Sequence, residues 1–241
     1  MRYIAKSNNS DAFVLLEKAK QEMRNAGISC LYNHFNEKEN LNNILRREQK
    51  QICCYCQQRI EHYQGINLTG SHNEHFFPET HFEKKQLDND NIFACCNRTK
   101  GYEKRFQYCG EYKADNIIEV NLLLDEECSR YFKYNVNGEI LPNSSIYNSY
   151  DEFIQHRELL TSDQSKALSM IEGLNLNEKD LKFRRKNIIS DLFESAKFLS
   201  THKIQHKILV LHNEQERYIE FVDLVIYYLH IILNLKNKNN S

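Results

Sequence analysis

The sequence predicts an α+β chain, mainly helical, whose N-terminal half carries a compact module held by metal rather than by a large apolar core of its own. Three observations predict it. Only 7 Gly and 2 Pro occur in 241 residues, too few for a sandwich full of tight turns and well suited to long helices. Helical apolar periodicity is clear on both sides of residues 51–120 and lost within them. Six of the 8 Cys fall in that same stretch. The 41% hydrophobic and 27% charged content excludes wholesale disorder. A formal net charge of −1 excludes a globally basic surface as the means of gripping nucleic acid.

The elements follow in order. Residues 1–50 form an N-terminal helical segment. In it Ala12, Leu15, Leu16, Ala19, Met23 and Ala26 recur at helical spacing, Gly27 stands as the stop, and a second helix spans about Glu37 to Lys50. Residues 51–120 are the Cys-rich module, and 121–241 hold a hairpin and a helical region for docking a partner or substrate. The hairpin is predicted over Tyr131–Leu141, where Asn137-Gly138 separates two alternating arms. Thr161 or Ser162 caps a helix ending at Gly173. Asn177 is expected to cap a longer one from Glu178 to about Thr201, with Leu181, Ile188, Leu192, Ala196 and Leu199 as its apolar stripe. The run Tyr218–Leu235 is nearly long enough for a membrane span, but Glu220, Asp223 and His230 interrupt it. A charge near a bilayer centre costs about 2.5–3.5 kcal/mol even on lenient scales, so a buried helix is expected and no membrane contact. The opening Met1–Lys6 lacks the apolar stretch of a signal peptide, so a soluble, cytoplasmic protein with reduced thiols is expected.

The chemistry concentrates in the middle. Cys53 and Cys56 form a C-x-x-C pair, whose tight knuckle aims two thiolates at one tetrahedral Zn²⁺. The second pair comes from Cys95 or Cys96 together with Cys109, and Cys96 with Cys109 is preferred. Between these thiols lies Ser71-His72-Asn73-Glu74-His75-Phe76-Phe77-Pro78, followed by Asn91-Ile92-Phe93-Ala94-Cys95-Cys96.

This combination resembles the HNH endonuclease family. Cys53-Cys54-Tyr55-Cys56 is similar to its first zinc knuckle, Glu74-His75-Phe76-Phe77-Pro78 to its metal-ligand and base strand, and Asn91 through Cys96 to the run ending in its third zinc cysteine. Cys109-Gly110-Glu111-Tyr112-Lys113 is similar to the final knuckle. The resemblance implies a ββα-metal (His-Me finger) module stabilised by structural zinc at Cys53, Cys56, Cys96 and Cys109. The opening MRYIAKS, the hairpin and Gly173–Asn177 with Arg184-Arg185 look like the retron-associated, Septu-type anti-phage defence nuclease subunits. That likeness implies an ATPase partner of the SMC or ABC type and, in retron-linked versions, a reverse transcriptase with its RNA–DNA product.

Roles follow from phosphodiester hydrolysis, of DNA or of a structured RNA such as tRNA. A neutral imidazole suits the base that activates water, and His75 is the candidate. The leaving oxygen and phosphoryl charge call for Mg²⁺ or Mn²⁺ on oxygen ligands. Glu74 is the first proposed ligand and Glu111 the second, with Asn97 as an alternative. Asn91 is expected to orient the loop or His75. Adjacent strand residues face opposite sides, so a local twist or bulge is expected to bring Glu74 and His75 to one phosphate. His72 and His81 are read as loop histidines without a role. Arg98, Lys100, Lys104 and Arg105 are the candidate nucleic-acid contacts, interleaved with Tyr102, Phe106 and Tyr108, and Lys182–Lys186 is a second basic run. The alternative reading is a non-catalytic zinc-stabilised nucleic-acid-binding or adaptor module.

Overall fold

A computed structural model describes residues 1–60 and 70–239. The chain opens with an extended segment and then α1 (Asp11–Asn25), whose first turn is capped by the Ser10 side chain accepting from Phe13 N–H. Ala12, Leu16 and Met23 are its buried stripe, and Gly27 takes the left-handed φ of +69° that ends it. α2 (Lys38–Glu48) packs against α1 and buries Leu41, Ile44 and Leu45. Two short strands follow, β1 (Ser71–His75) and β2 (Ile92–Cys96), paired antiparallel from Ser71↔Cys96 to His75↔Ile92. The five-residue α3 (Cys109–Lys113) packs on β2.

β3 (Phe132–Tyr134) and β4 (Ile140–Pro142) form the second antiparallel sheet. The expected Asn137-Gly138 turn joins them: Gly138 N–H donates to Asn135 O, and φ at Gly138 is +79°. Gly138 is required a second time by packing. A Cβ there would run into the backbone carbonyl of Lys182 on the helix behind it. Gly138→Ala therefore combines backbone strain with a clash against immobile backbone. The expected loss is about 1–3 kcal/mol, read as a lower midpoint in urea unfolding.

The helical region comprises α4 (Tyr150–Gln155), α5 (Ser162–Gly173), α6 (Lys179–Ala196), α7 (Thr201–Asn213) and α8 (Val222–Asn239). α5 starts at a capping box on Thr161 and Gln164 and ends at Gly173, as its sequence suggests. α6 departs from expectation at both ends. Glu178, not Asn177, caps it, and it stops at Ala196 rather than near Thr201. Asn177 instead pairs with the open edge of β4: Ile140 N–H donates to its Oδ1, and its Nδ2 donates to Ile140 O, both at 2.9 Å. Of the apolar run at 218–235, residues 222–235 lie in α8, which packs against α6 and α7, and 218–221 precede it. No described helix is long and apolar enough to cross a membrane.

One apolar core runs from Met1 and Leu16 through Phe93 and Leu123 to Leu224 and Ile232, and Leu141 of β4, Phe153 of α4 and Leu168 of α5 form a smaller cluster. The N-terminal strand of chain stitches the larger one. Ile4 N–H donates to Leu123 O, Arg2 pairs with Asp223 on α8 at 2.7 Å, and Lys6 reaches Glu48 and Ile92 O. The fold is thus mixed, mainly helical, with two small antiparallel sheets. The first of them sits beside the cysteines.

Candidate metal centre and active site

The thiols meet because the 53–58 knuckle and the start of α3 converge on the end of β2. Residues 53–58 form a knuckle in which Gln57 N–H donates to Cys53 O and Cys53 N–H to Gln58 O. Gln57 takes a φ of +62° to close it. The buried Gln49 amide ties this knuckle to β2: Nε2 donates to Ala94 O and Ile52 O, while Oε1 accepts from Ala94 N–H. Cys109, at a φ of +59°, brings α3 to the same point.

Cys53, Cys95, Cys96 and Cys109 are all buried, with sulfurs within 4.8 Å of one another. Cys53 Sγ lies 3.9 Å from the sulfurs of both Cys95 and Cys109, and Cys56 Sγ lies 3.8 Å from that of Cys96. Thiolates at about 2.3 Å from a tetrahedral Zn²⁺ are about 3.8 Å apart, so these separations are those of the edges of a zinc site. Such a cluster can bind a metal such as zinc. Burial pushes the Cys56, Cys95 and Cys109 thiols up, so an arriving ion must displace protons. Both Cys95 and Cys96 belong to the cluster. Cys56 joins it on another side, beside Cys96, Cys53 and Cys109.

β1 carries the remaining candidates, and its register decides which of them meet. The β1–β2 pairing is unbroken through Glu74↔Phe93 and His75↔Ile92, so no bulge turns Glu74 and His75 to one side. Glu74 faces the cysteines. Its Oε1 accepts from Lys113 Nζ at 3.0 Å and from Tyr55 OH at 3.2 Å, and its Oε2 lies 3.1 Å from His72 Nε2. Burial alone would raise this carboxyl, but His72 and Lys113 hold it below its usual range. Lys113, almost fully buried, also donates to His75 O at 2.9 Å and so fixes both residues at once.

His75 faces the other way. Its ring meets Tyr32 edge-on at 4.6 Å, and Nε2 donates to Gln86 O at 2.9 Å. That bond places the proton on Nε2 and leaves the Nδ1 lone pair free of any hydrogen bond among the described residues. Burial lowers the basicity of the ring, which keeps it neutral near pH 7. Asn91 braces the loop that supports His75. Its Oδ1 accepts from Phe77 N–H, and Nδ2 donates to Phe77 O and Lys85 O.

Glu111 stands on α3, near enough to raise the basicity of His72. Contrary to the expectation of a loop histidine, His72 lies on β1 and bonds Asn97 Oδ1 through Nδ1. Burial would lower its basicity, but Glu74 and Asn97 raise it above the ordinary value. Its position two residues before Glu74, hence on the same strand face, was the available signal. Gly110 is the other missed residue: a Cβ there would fall against Glu74 Oε2 and 2.8 Å from His72 Nε2.

The basic candidates are mostly engaged within the protein. Arg98 pairs with Glu220 at 3.3 Å and Arg105 with Glu103 at 2.9 Å, while Lys104 donates to Tyr112 O. Lys100 is exposed, and its side chain has no ion pair or hydrogen bond among the described residues. Tyr108 is buried, whereas Tyr102 and Phe106 are exposed. The second basic run dissolves further. Arg185 is buried and donates to Gly138 O and Leu176 O, Arg184 pairs with Asp180, and Lys182 faces Glu139. No family model matches the chain, and no curated protein matches it.

Proposed function

We propose that this chain is a zinc-stabilised, metal-dependent endonuclease of the HNH type, with a ββα-metal module made by β1, β2 and α3. Zinc on Cys53, Cys56, Cys96 and Cys109 would tie the knuckle, the end of β2 and the start of α3 into one body. The observation that carries the reading is the state of His75. Its Nε2–H is tethered to Gln86 O and its Nδ1 lone pair is unengaged, on a strand whose neighbouring residue is a buried carboxylate. A histidine held in this tautomer is set to take a proton from water.

Glu74, neutralised on Oε1 by Lys113 and Tyr55, presents Oε2 as the ligand atom for a divalent cation. Such a cation would supply positive charge to the phosphoryl oxygens and to the leaving oxygen; because Glu74 and His75 lie on opposite faces of β1, the reading requires the scissile phosphate to sit at the edge of that strand, within reach of both. Glu111 and Asn97 stand by as further oxygen donors. Asn91 and Lys113 act on the base through the backbone, by holding the loop at Phe77 and the carbonyl of His75. Lys100, with Tyr102 and Phe106, is the part of the basic segment left to meet a polynucleotide.

The near-zero net charge fits a subunit whose grip on nucleic acid comes in part from a partner. An ATPase of the SMC or ABC type, within an anti-phage defence complex that in some versions includes a reverse transcriptase and its RNA–DNA product, is the partner class the sequence resemblance implies. The test is incubation of the purified chain, with and without such an ATPase encoded beside it, with plasmid and total RNA. Cleavage is expected with Mg²⁺ or Mn²⁺ and not with EDTA, and Glu74→Gln is expected to raise the metal concentration needed. Cleavage indifferent to added metal and to Glu74→Gln would remove the reading and favour a binding or adaptor module.

A further inference from the structure

The cluster holds one thiol more than a tetrahedral site takes. Cys53 and Cys109 are common to each choice of four named above; Cys53, Cys95, Cys96 and Cys109 lie within 4.8 Å of one another, and Cys56 adjoins Cys96, Cys53 and Cys109. If the C-x-x-C knuckle closes the zinc site with Cys56, then Cys95 is left over. Its surroundings say what it is for. Cys95 is directly opposite His72 in the β1–β2 register, which puts it on the strand face that carries His72 and Glu74. One ligand atom from each of these three residues lies within 4.8 Å of the other two.

Three further details fit a metal ion there. His72 Nδ1 is spent on the Asn97 side-chain oxygen, so the ring donates a proton there and turns its Nε2 lone pair toward Glu74. In the neutral ring that lone pair and Glu74 Oε2, 3.1 Å apart, are two acceptors that a metal ion can bridge, whereas without a metal a ring proton joins them as a hydrogen bond. A ligating histidine whose other nitrogen is fixed by an oxygen acceptor is the usual arrangement in metal sites. Next, Glu74 Oε1 is bound by Lys113 and Tyr55, which orients the carboxylate and leaves Oε2 as its coordinating atom. Last, Gly110 N–H points at Cys95 Sγ from 3.3 Å, and its bare Cα keeps the space against Glu74 Oε2 and His72 Nε2 open.

We infer that His72 Nε2, Glu74 Oε2 and Cys95 Sγ form a second metal site for a borderline divalent transition metal such as Zn²⁺, with its remaining position open to water. The set of nitrogen, oxygen and sulfur donors selects against Mg²⁺, which prefers oxygen throughout. Three protein ligands with one open position is the pattern of reactive rather than structural zinc. The His72 side chain is 31% exposed, so water has access. The site rests on the zinc assignment to Cys53, Cys56, Cys96 and Cys109, and an ion held there competes with the hard cation of the nuclease reading for Glu74 Oε2, so cleavage is expected only while this second site is free of Zn²⁺.

The test is metal stoichiometry, which does not depend on cleavage. The full chain is loaded with Zn²⁺, freed of excess by gel filtration and measured by elemental analysis. Loading with Co²⁺ reports the ligands of each site by their absorption bands. About two equivalents are expected in the wild type, four-thiolate in one site and mixed in the other. His72→Ala and Cys95→Ser are each expected to lose one equivalent and the mixed band, with the four-thiolate band and circular dichroism unchanged. If His72→Ala fails to fold, Glu74→Gln serves in its place. A single equivalent in the wild type that survives His72→Ala would overturn the proposal. So would loss of the four-thiolate band in Cys95→Ser, which would put Cys95 in the structural site. Two equivalents in a protein that never cleaves would uphold the site and sink only the nuclease reading.

Discussion

Removal of zinc is expected to unfold residues 51–120 and to lower the melting temperature of the whole chain. The module has two five-residue strands and a five-residue helix, and its knuckle, the end of β2 and the start of α3 converge on the sulfurs. Structural zinc contributes about 10–16 kcal/mol to small zinc-bound folds, against a total stability of about 5–15 kcal/mol for an ordinary domain. Cys53→Ser and Cys109→Ser, which remove thiols shared by every choice of ligands, should therefore abolish zinc binding and cooperative melting. Because the thiols bind metal only after losing their protons, zinc should also leave as the pH falls. Its release into a chromogenic chelator would follow this directly. A chain that melts at the same temperature before and after chelation would show that the cysteines are ordinary core residues.

The largest effect on chemistry is expected at His75. Its replacement by Ala removes the free Nδ1 lone pair and leaves β1 paired through its backbone, so zinc content and melting should change little. General-base groups contribute about 10²–10⁴-fold to rate, and the cleavage rate should fall by that order. The pH profile gives an independent reading. A base works only when unprotonated, and burial lowers the pKa of this imidazole. Wild-type cleavage should therefore hold its plateau down through the usual histidine range near about 6.5 and fall only below it. An acid limb above that range would assign the base to another group.

Local features were legible in the sequence, and those that depend on register were not. The Asn137-Gly138 turn, the Gly27 stop of α1 and the Thr161 cap of α5 are written in adjacent residues, and the fold contains all three. Asn177 shows the limit. It stands where a helix cap belongs, but its amide matches the N–H and C=O of Ile140 across the core, and that long-range pairing prevails. Arg185 read as part of a solvated basic run, because nothing local reveals that two carbonyls await its guanidinium.

At the site, the bracketing cysteines were evident from spacing. The selection among them was not, because it depends on which turn delivers which sulfur. Glu74, His75 and Asn91 were found as a run of residue types. His72 gained meaning only when β1 and β2 were paired, which set it opposite Cys95 and beside Glu74. Lys113 lies 38 residues beyond His75 in sequence, and it and Gly110 reach Glu74 because α3 packs on β2.

The proposed endonuclease is tested most directly by one rate ratio. Wild type and His75→Ala, each carrying one equivalent of zinc and matched for melting temperature, are incubated with supercoiled plasmid and with total RNA, in Mn²⁺ or Mg²⁺ and with an ATPase of the proposed class. Cleavage by the wild type that requires the added metal and falls by about 10²-fold or more in His75→Ala is the predicted result. Equal cleavage by the two proteins, or none by either, would contradict it.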